Sequence, residues 1–299
     1  MWLNSGYSQI AIIFPFVAAM NRYLSKEFTL GSLMQVASAF GRVQDSLSYF
    51  LDMYSSLAQL QAVVMRLTYF GRHMQEVSEA AERFHLERFA TATAVSAEKM
   101  QVNLPDGSPL LSDISFTLQP GTNVLIKGLS GSGKSTLLRA IAGSWPFVEG
   151  KINMPKTEEL MFIPQKPYIP LGTLREALLY PGTKHISDEE LKYLMASCQI
   201  GYLEDKLVMV ADWCHVLSVG DQQRLAFVRA HIQEPIWLFL DEATSALDEE
   251  TEAEMYRLLG ERLANTTVVS VGHRSTLNQF HQLVLRLDKK AHSVHLEKL

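Results

Sequence analysis

At 299 residues the chain has room for about two domains. It is 47% hydrophobic with a mean hydropathy of +0.02, high for an ordinary soluble enzyme and low for a full membrane transporter. A formal net charge of −5 and a pI near 6.0 give no basis for a nucleic-acid partner. The two cysteines, Cys198 and Cys214, match neither a zinc site nor a redox pair and read as reduced thiols.

The first residues, Met-Trp-Leu-Asn-Ser-Gly-Tyr, lack the basic n-region of a secretory signal, and no small-residue cleavage site follows the apolar run Ile10–Met20. Between Pro15 and Pro105 there is no proline, so this stretch can be helical for most of its length. A second apolar run, Phe28–Leu51, is long enough to cross a hydrocarbon core of roughly 30 Å, although it contains Gln35, Arg42, Gln44 and Asp45. Two readings of it stand: a buried helix of a soluble protein, or a membrane helix whose polar face lines a solute pathway. Arg42 and Asp45, at i and i+3, can pair on one face. The helical pattern then continues through Arg66, Arg72, Arg83 and Arg88, as expected of a cytoplasmic exit.

From about Ala97 the pattern changes. Pro105-Asp106-Gly107 is a turn, and Ile114, Phe116 and Leu118 alternate as in a half-buried strand. The apolar runs Val124–Ile126, Leu160–Ile163, Ile236–Leu240 and Thr267–Val271 are separated by helical segments, which predicts α/β layering around a mostly parallel sheet. Capping boxes at Thr173–Glu176 and Ser187–Glu190 mark two helix starts.

Gly128-Leu-Ser130-Gly131-Ser-Gly133-Lys134-Ser135-Thr136 fits the phosphate-binding pattern G-x-x-x-x-G-K-[ST], with a buried strand before it and a helix after it. Its glycines let backbone N–H groups close on phosphate oxygens at a helix N-terminus. Lys134 is expected to reach the β- and γ-phosphates of ATP, and Ser135 to ligate Mg²⁺. The strand Ile236–Leu240 runs into Asp241-Glu242, which suits Asp241 to the metal and Glu242 to the attacking water. These elements make a P-loop nucleotide hydrolase; they do not separate a transporter ATPase from a GTPase, a kinase or a DNA-repair ATPase.

Four further phrases resemble the ABC ATPases. They are Gln165 in Phe162-Ile-Pro-Gln, Leu217-Ser218-Val-Gly220-Asp221-Gln-Gln-Arg224 at the signature position, Ser245-Ala-Leu-Asp248, and His273 in Ser270-Val-Gly-His. The resemblance implies an ABC-type nucleotide-binding domain with antiparallel β and α-helical subdomains, preceded by long transmembrane helices. It assigns Glu242, His273 and Gln165 to catalysis and Ser135, Gln165 and Asp241 to the metal. Gly128, Ser130, Gly131, Gly133, Lys134, Ser135 and Thr136 would hold the nucleotide, with Ser218, Gly220, Asp221 and Asp248 added from a second, head-to-tail copy. Two departures are visible. Val219 and Asp221 replace a glycine and a glutamine of the usual signature, and Leu104 stands where an aromatic residue would stack on adenine.

The segments Pro164–Pro181, Ala211–Trp213 and Leu217–Phe227, with Phe28–Gln44 upstream, resemble the peroxisomal fatty-acyl transporters and their bacterial YddA/BacA-type permease–ATPase relatives. This implies a membrane domain ending near residue 90 and an ATPase domain over 91–299. It also implies a bacterial inner-membrane location with the ATPase domain in the cytoplasm, and a lipid bilayer as partner. The family has more membrane helices than this chain holds, so the missing ones are expected upstream or in another chain, and the chain reads as a C-terminal portion. A soluble ABC-type ATPase and a fragment that binds ATP without transporting are the alternatives. Trp213 and Tyr168 read as packing aromatics, and the scattered histidines as structural or solvated.

Overall fold

The computed structural model describes residues 2–82, 84–89, 93–182, 184–289 and 291–299. Contacts divide the chain into two compact units, Met1–Glu76 and Val77–Leu299.

The first unit holds α1 (Trp2–Leu24) and the start of α2 (Leu30–Ala81). Pro15 lies inside α1 rather than at its edge. Between the helices the chain reverses, with the Phe28 N–H donating to Arg22 O at 3.1 Å and the Arg22 guanidinium 5.7 Å from the centre of the Phe28 ring. Thr29 opens α2 by accepting from Ser32 N at 3.3 Å. Phe14 meets Phe40 with ring centres 5.6 Å apart, and Ala19 and Leu33 are buried.

Among the described residues no helix is long and apolar enough to cross a membrane on its own hydropathy. The run Ile10–Met20 begins outside the residues whose side chains are described, and the expected span Phe28–Leu51 is not reproduced as an apolar span. The reason is local: Gln35, Arg42, Gln44 and Asp45 interrupt the run, and no ion pair joins Arg42 to Asp45 among the described residues. Large apolar side chains nevertheless stand exposed along both helices, Val17, Val43, Leu47, Leu60 and Phe70 among them. Arg83 lies outside the described residues, and Arg88 is in a strand rather than a helix.

The second unit contains β1 (Leu86–Phe89), β2 (Val95–Asn103), β3 (Pro109–Leu118), β4 (Val124–Gly128), α3 (Lys134–Ala142), β5 (Val148–Asn153) and β6 (Leu160–Ile163). After these come β7 (Gly172–Thr173), α4 (Leu174–Leu179), α5 (Asp188–Ser197), β8 (Val210–Ala211), α6 (Trp213–Val216) and α7 (Val219–Gln233). The chain ends with β9 (Trp237–Asp241), α8 (Glu249–Arg262), β10 (Thr267–Val271), β11 (Leu283–Asp288) and β12 (Ser293–Lys298).

The main sheet has the order β12-β11-β4-β10-β9-β6. All neighbours are parallel except the terminal β11–β12 pair, in agreement with the alternation of apolar runs and helices. Alternate residues of its strands feed two cores. Val124, Ile126, Trp237 and Phe239 pack toward α3 and the smaller β1-β5-β2-β3 sheet, while Leu125, Leu238 and Leu240 pack toward α4, α5 and α7. The alternation read in Ile114, Phe116 and Leu118 is the buried face of β3.

Both predicted helix starts are present. Thr173 and Glu176 form a complete capping box, whereas at Ser187 only the forward half is made, the hydroxyl accepting from Glu190 N. Arg88 from β1 caps the other end of α3, its Nη2 donating to Ala140 O at 3.2 Å and Ile141 O at 2.8 Å. Trp213 is fully buried and donates from Nε1 to Gly172 O at 3.1 Å, a packing aromatic as expected. Tyr168 is 63% exposed, and its ring meets that of Tyr180 with 5.3 Å between centres.

Candidate active site

Parallel register puts four strand ends side by side. Ile126 of β4 pairs with Val271 of β10, Val271 with Asp241 of β9, and Leu240 of β9 with Ile163 of β6. The segments leaving these strands therefore emerge at one edge of the sheet, where ligands bind in open α/β folds. They carry the phosphate-binding loop, Asp241-Glu242, His273 and Gln165.

The loop between β4 and α3 turns on left-handed backbone at Gly131 (φ 70) and Gly133 (φ 93). A Cβ at Gly128 would stand 2.6 Å from Ser132 Oγ and 3.0 Å from Leu287 O, so the loop closes only with glycine there. Ser130 is exposed, and Thr136 lies within the first turn of α3. Lys134 is buried, and its ammonium donates to Gly128 O and Leu129 O at 3.1 Å each, across the mouth of the loop. Burial lowers its pKa, while Glu242 and Asp241 pull it back up.

Asp241 is 2% exposed at the end of β9. Burial pushes its carboxyl pKa up; the opposing hydrogen bond comes from Ser135, whose Oγ donates to Oδ1 at 2.6 Å. Arg139 adds a distant contact, 3.9 Å from Oδ2.

Glu242 has positive φ (49), an uncommon conformation for a non-glycine residue. Its N–H donates to Val271 O at 3.2 Å, anchoring it to β10. Gln165 Nε2 donates to Glu242 Oε2 at 3.2 Å, and His273 Nε2 lies 3.1 Å from Oε1. Both carboxylate oxygens are thus held by side chains from neighbouring loops, and all three residues had been named from sequence.

Ser218, Gly220 and Asp221 sit elsewhere. Ser218 caps α7, accepting from Asp221 N at 3.1 Å and donating to Asp221 Oδ2 at 2.6 Å. No hydrogen bond or ion pair joins them to the phosphate loop of the same chain among the described residues. Asp248 likewise caps α8, accepting from Thr251 N at 2.7 Å, and that bond lowers its carboxyl pKa. Three residues carry structural weight here without having been given a role from sequence. Gln223 and Arg274 stand beside the signature and His273, and Lys289 places its Nζ 3.3 Å from where a Cβ at Gly131 would be. Adjacency to a motif was the available signal for the first two.

An ABC transporter family model matches residues 111–245, spanning the phosphate loop, Gln165, Ser218 and Asp241-Glu242. Over that segment the chain is similar to the ABC transporters. Residues 2–75 match a second model, the SbmA/BacA-like family. An ABC transporter ATP-binding protein of Haemophilus influenzae is 41% identical over 288 residues, covering 96% of this chain and 48% of that protein. The Escherichia coli inner membrane ABC transporter ATP-binding protein YddA is 31% identical over 91% of this chain and 47% of its own length. Mouse ATP-binding cassette sub-family D member 3 is 35% identical over 66% of this chain and 31% of its own. The chain is thus similar both to YddA and to members of sub-family D. It spans about half the length of the curated relatives it matches most fully.

Because the Ser135 hydroxyl opposes the burial of Asp241, Ser135→Ala raises the Asp241 pKa further. A carbon-13 titration of the aspartate carboxyls reads this; an unmoved Asp241 signal would contradict it.

Proposed function

We propose that this chain is the ATP-binding and ATP-hydrolysing part of an ABC transporter half that couples hydrolysis to solute movement across a membrane. The supporting observation is the Glu242 carboxylate held between Gln165 and His273, with the charges of Glu242 and Asp241 both acting on the Lys134 ammonium. In this reading the backbone N–H groups from Gly131 to Ser135 and the Lys134 ammonium take the β- and γ-phosphate oxygens. Glu242 orients a water on the far side of the γ-phosphorus and receives its proton. The bond from phosphorus to the bridging oxygen breaks, and ADP leaves with that electron pair. His273 and Gln165 fix the carboxylate so that its lone pair faces the water.

Ser135, Asp241 and the Gln165 side-chain carbonyl offer hydroxyl, carboxylate and amide oxygens, a hard donor set that fits Mg²⁺. Among the described residues no three His, Cys, Asp or Glu side chains form a metal cage of their own, so phosphate and water oxygens would complete the shell. When bound, the ion supplies charge neutralisation across the phosphates.

Ser218, Gly220 and Asp221 lie at the N-terminus of a 15-residue helix and, among the described residues, make no hydrogen bond or ion pair with their own phosphate loop, which supports a second copy as the molecule that uses them. Head-to-tail pairing would bring them, with Asp248, to the γ-phosphate of the partner, so that ATP joins two copies.

The first unit stands in this reading as the last part of a membrane domain, with further helices supplied upstream or by another chain. Its match to the SbmA/BacA-like family and its exposed apolar side chains support this. The named location of YddA supports the bacterial inner membrane, with the second unit on the cytoplasmic side. Motion at Gln165 would pass outward along Gln165–Tyr168, which borders an apolar groove of about 360 Å³. A second reading, an ABC-type ATPase acting off the membrane, is favoured by the lack of a sufficiently apolar helix among the described residues.

Glu242→Gln is expected to keep ATP binding while lowering turnover by about a hundredfold or more, because only the water-activating oxygen is lost. Wild-type turnover in that variant would end the assignment. The membrane reading is tested by detergent phase separation of the full chain. Partition into the detergent phase is expected, and recovery in the aqueous phase would favour the second reading.

A further inference from the structure

The polar groups around Glu242 close into a ring. On one side, the Gln165 side-chain Nε2 donates to Glu242 at 3.2 Å, and the Gln165 main-chain carbonyl accepts from Gln223 Nε2 at 2.9 Å. The same Gln223 amide donates to Ser245 Oγ at 3.2 Å, and its Oε1 accepts from Ala246 N at 3.0 Å. On the other side, Leu247 O accepts from Arg274 Nη2 at 2.7 Å, and Arg274 directly follows His273, whose ring lies 3.1 Å from Glu242. Ser245 N donates to Glu242 O at 3.0 Å, so the segment Ser245–Leu247 is tethered to the residue it encircles.

Gln223 is completely buried, with its amide hydrogens and oxygen engaged in three bonds to two loops. A buried amide that lost these partners would carry a large desolvation cost, so the arrangement has one stable geometry. Arg274 is steadied from behind. Its Nη1 lies 3.4 Å from Glu252 Oε2, and buried Glu252 also accepts from Thr244 and Thr276. The start of α7 leans on the same segment, since a Cβ at Gly220 would stand 3.4 Å from Leu247 Cδ2 and 3.5 Å from Ala246 O.

We propose that Gln223 and Arg274 are positioning residues for hydrolysis, Gln223 acting through the Gln165 main chain that it holds and Arg274 through His273, which directly precedes it. This rests on the proposed role of Glu242. Neither side chain touches Glu242, so each influences the reaction only through the residue it holds.

The test is a pair of double-mutant cycles on the full chain, with ATP turnover measured under steady-state and single-turnover conditions. Gln223→Leu and Arg274→Lys should each lower kcat about tenfold and leave KM within about twofold, the pattern of lost alignment rather than lost binding. Gln223→Leu should add no further loss in a Gln165→Ala background, and Arg274→Lys none in a His273→Ala background. Losses that multiply, or a rise in KM at unchanged kcat, would overturn the proposal. If Gln223→Leu does not fold, the Arg274→Lys cycle, at a partly exposed side chain, decides alone. Glu242→Gln run alongside separates the two levels. Its retaining turnover would remove the underlying reading, whereas an inactive Glu242→Gln with multiplying losses would remove only the positioning roles.

Discussion

The parallel pairing of β4, β10, β9 and β6 is what the site depends on. A strand residue is fixed in height by its neighbours' hydrogen bonds, so Gly128, Asp241, Val271 and Ile163 end their strands along one line. The chain must leave the sheet there, and each departing loop carries a different polar group. Slippage by one residue would turn Leu238 and Leu240 out of one core and Trp237 and Phe239 out of the other. The two apolar cores, by enforcing register, are therefore what hold Glu242 within hydrogen-bond reach of Gln165 and His273. The geometry of the candidate site is here a consequence of packing on both faces of a buried sheet.

Much of this was legible in the sequence because the signals are strong and local. The glycines of the phosphate loop, the apolar runs of β4, β6, β9 and β10, and Asp241-Glu242 at a strand end each carry their own physical reason. The capping box at Thr173 was readable for the same reason. At Ser187 the forward bond formed without its reciprocal, since the returning Glu190 contact depends on a rotamer that the four-residue pattern does not set. Gln223 and Arg274 were not legible. Their roles arise from partners 58 and 27 positions away, a relation that periodicity cannot express. The proline-free stretch extends the helical pattern to Arg88, whereas its pairing in β1 with Ile152 decides its conformation.

The first unit shows where sequence and structure give different weight to the same residues. Resemblance made Phe28–Leu51 a membrane helix, and the long helix is present. Its hydropathy is diluted by Gln35, Arg42, Gln44 and Asp45, and its apolar side chains face outward around the helix rather than along a single stripe. A helix of that kind needs neighbours to shelter both its polar and its apolar residues. That requirement agrees with a chain spanning about half the length of its relatives.

The central claim is that the γ-phosphate is held at the loop from Gly128 to Thr136 and faces Glu242. Vanadate-dependent photocleavage of the full chain with ADP tests it directly, because a trapped vanadate occupies the γ-phosphate position and cuts the backbone beside it. Mass spectrometry of the products should place cleavage within residues 128–136, dependent on ADP and abolished by Lys134→Ala. Nucleotide-independent cleavage, or a cut confined to any other part of the chain, would contradict the assignment.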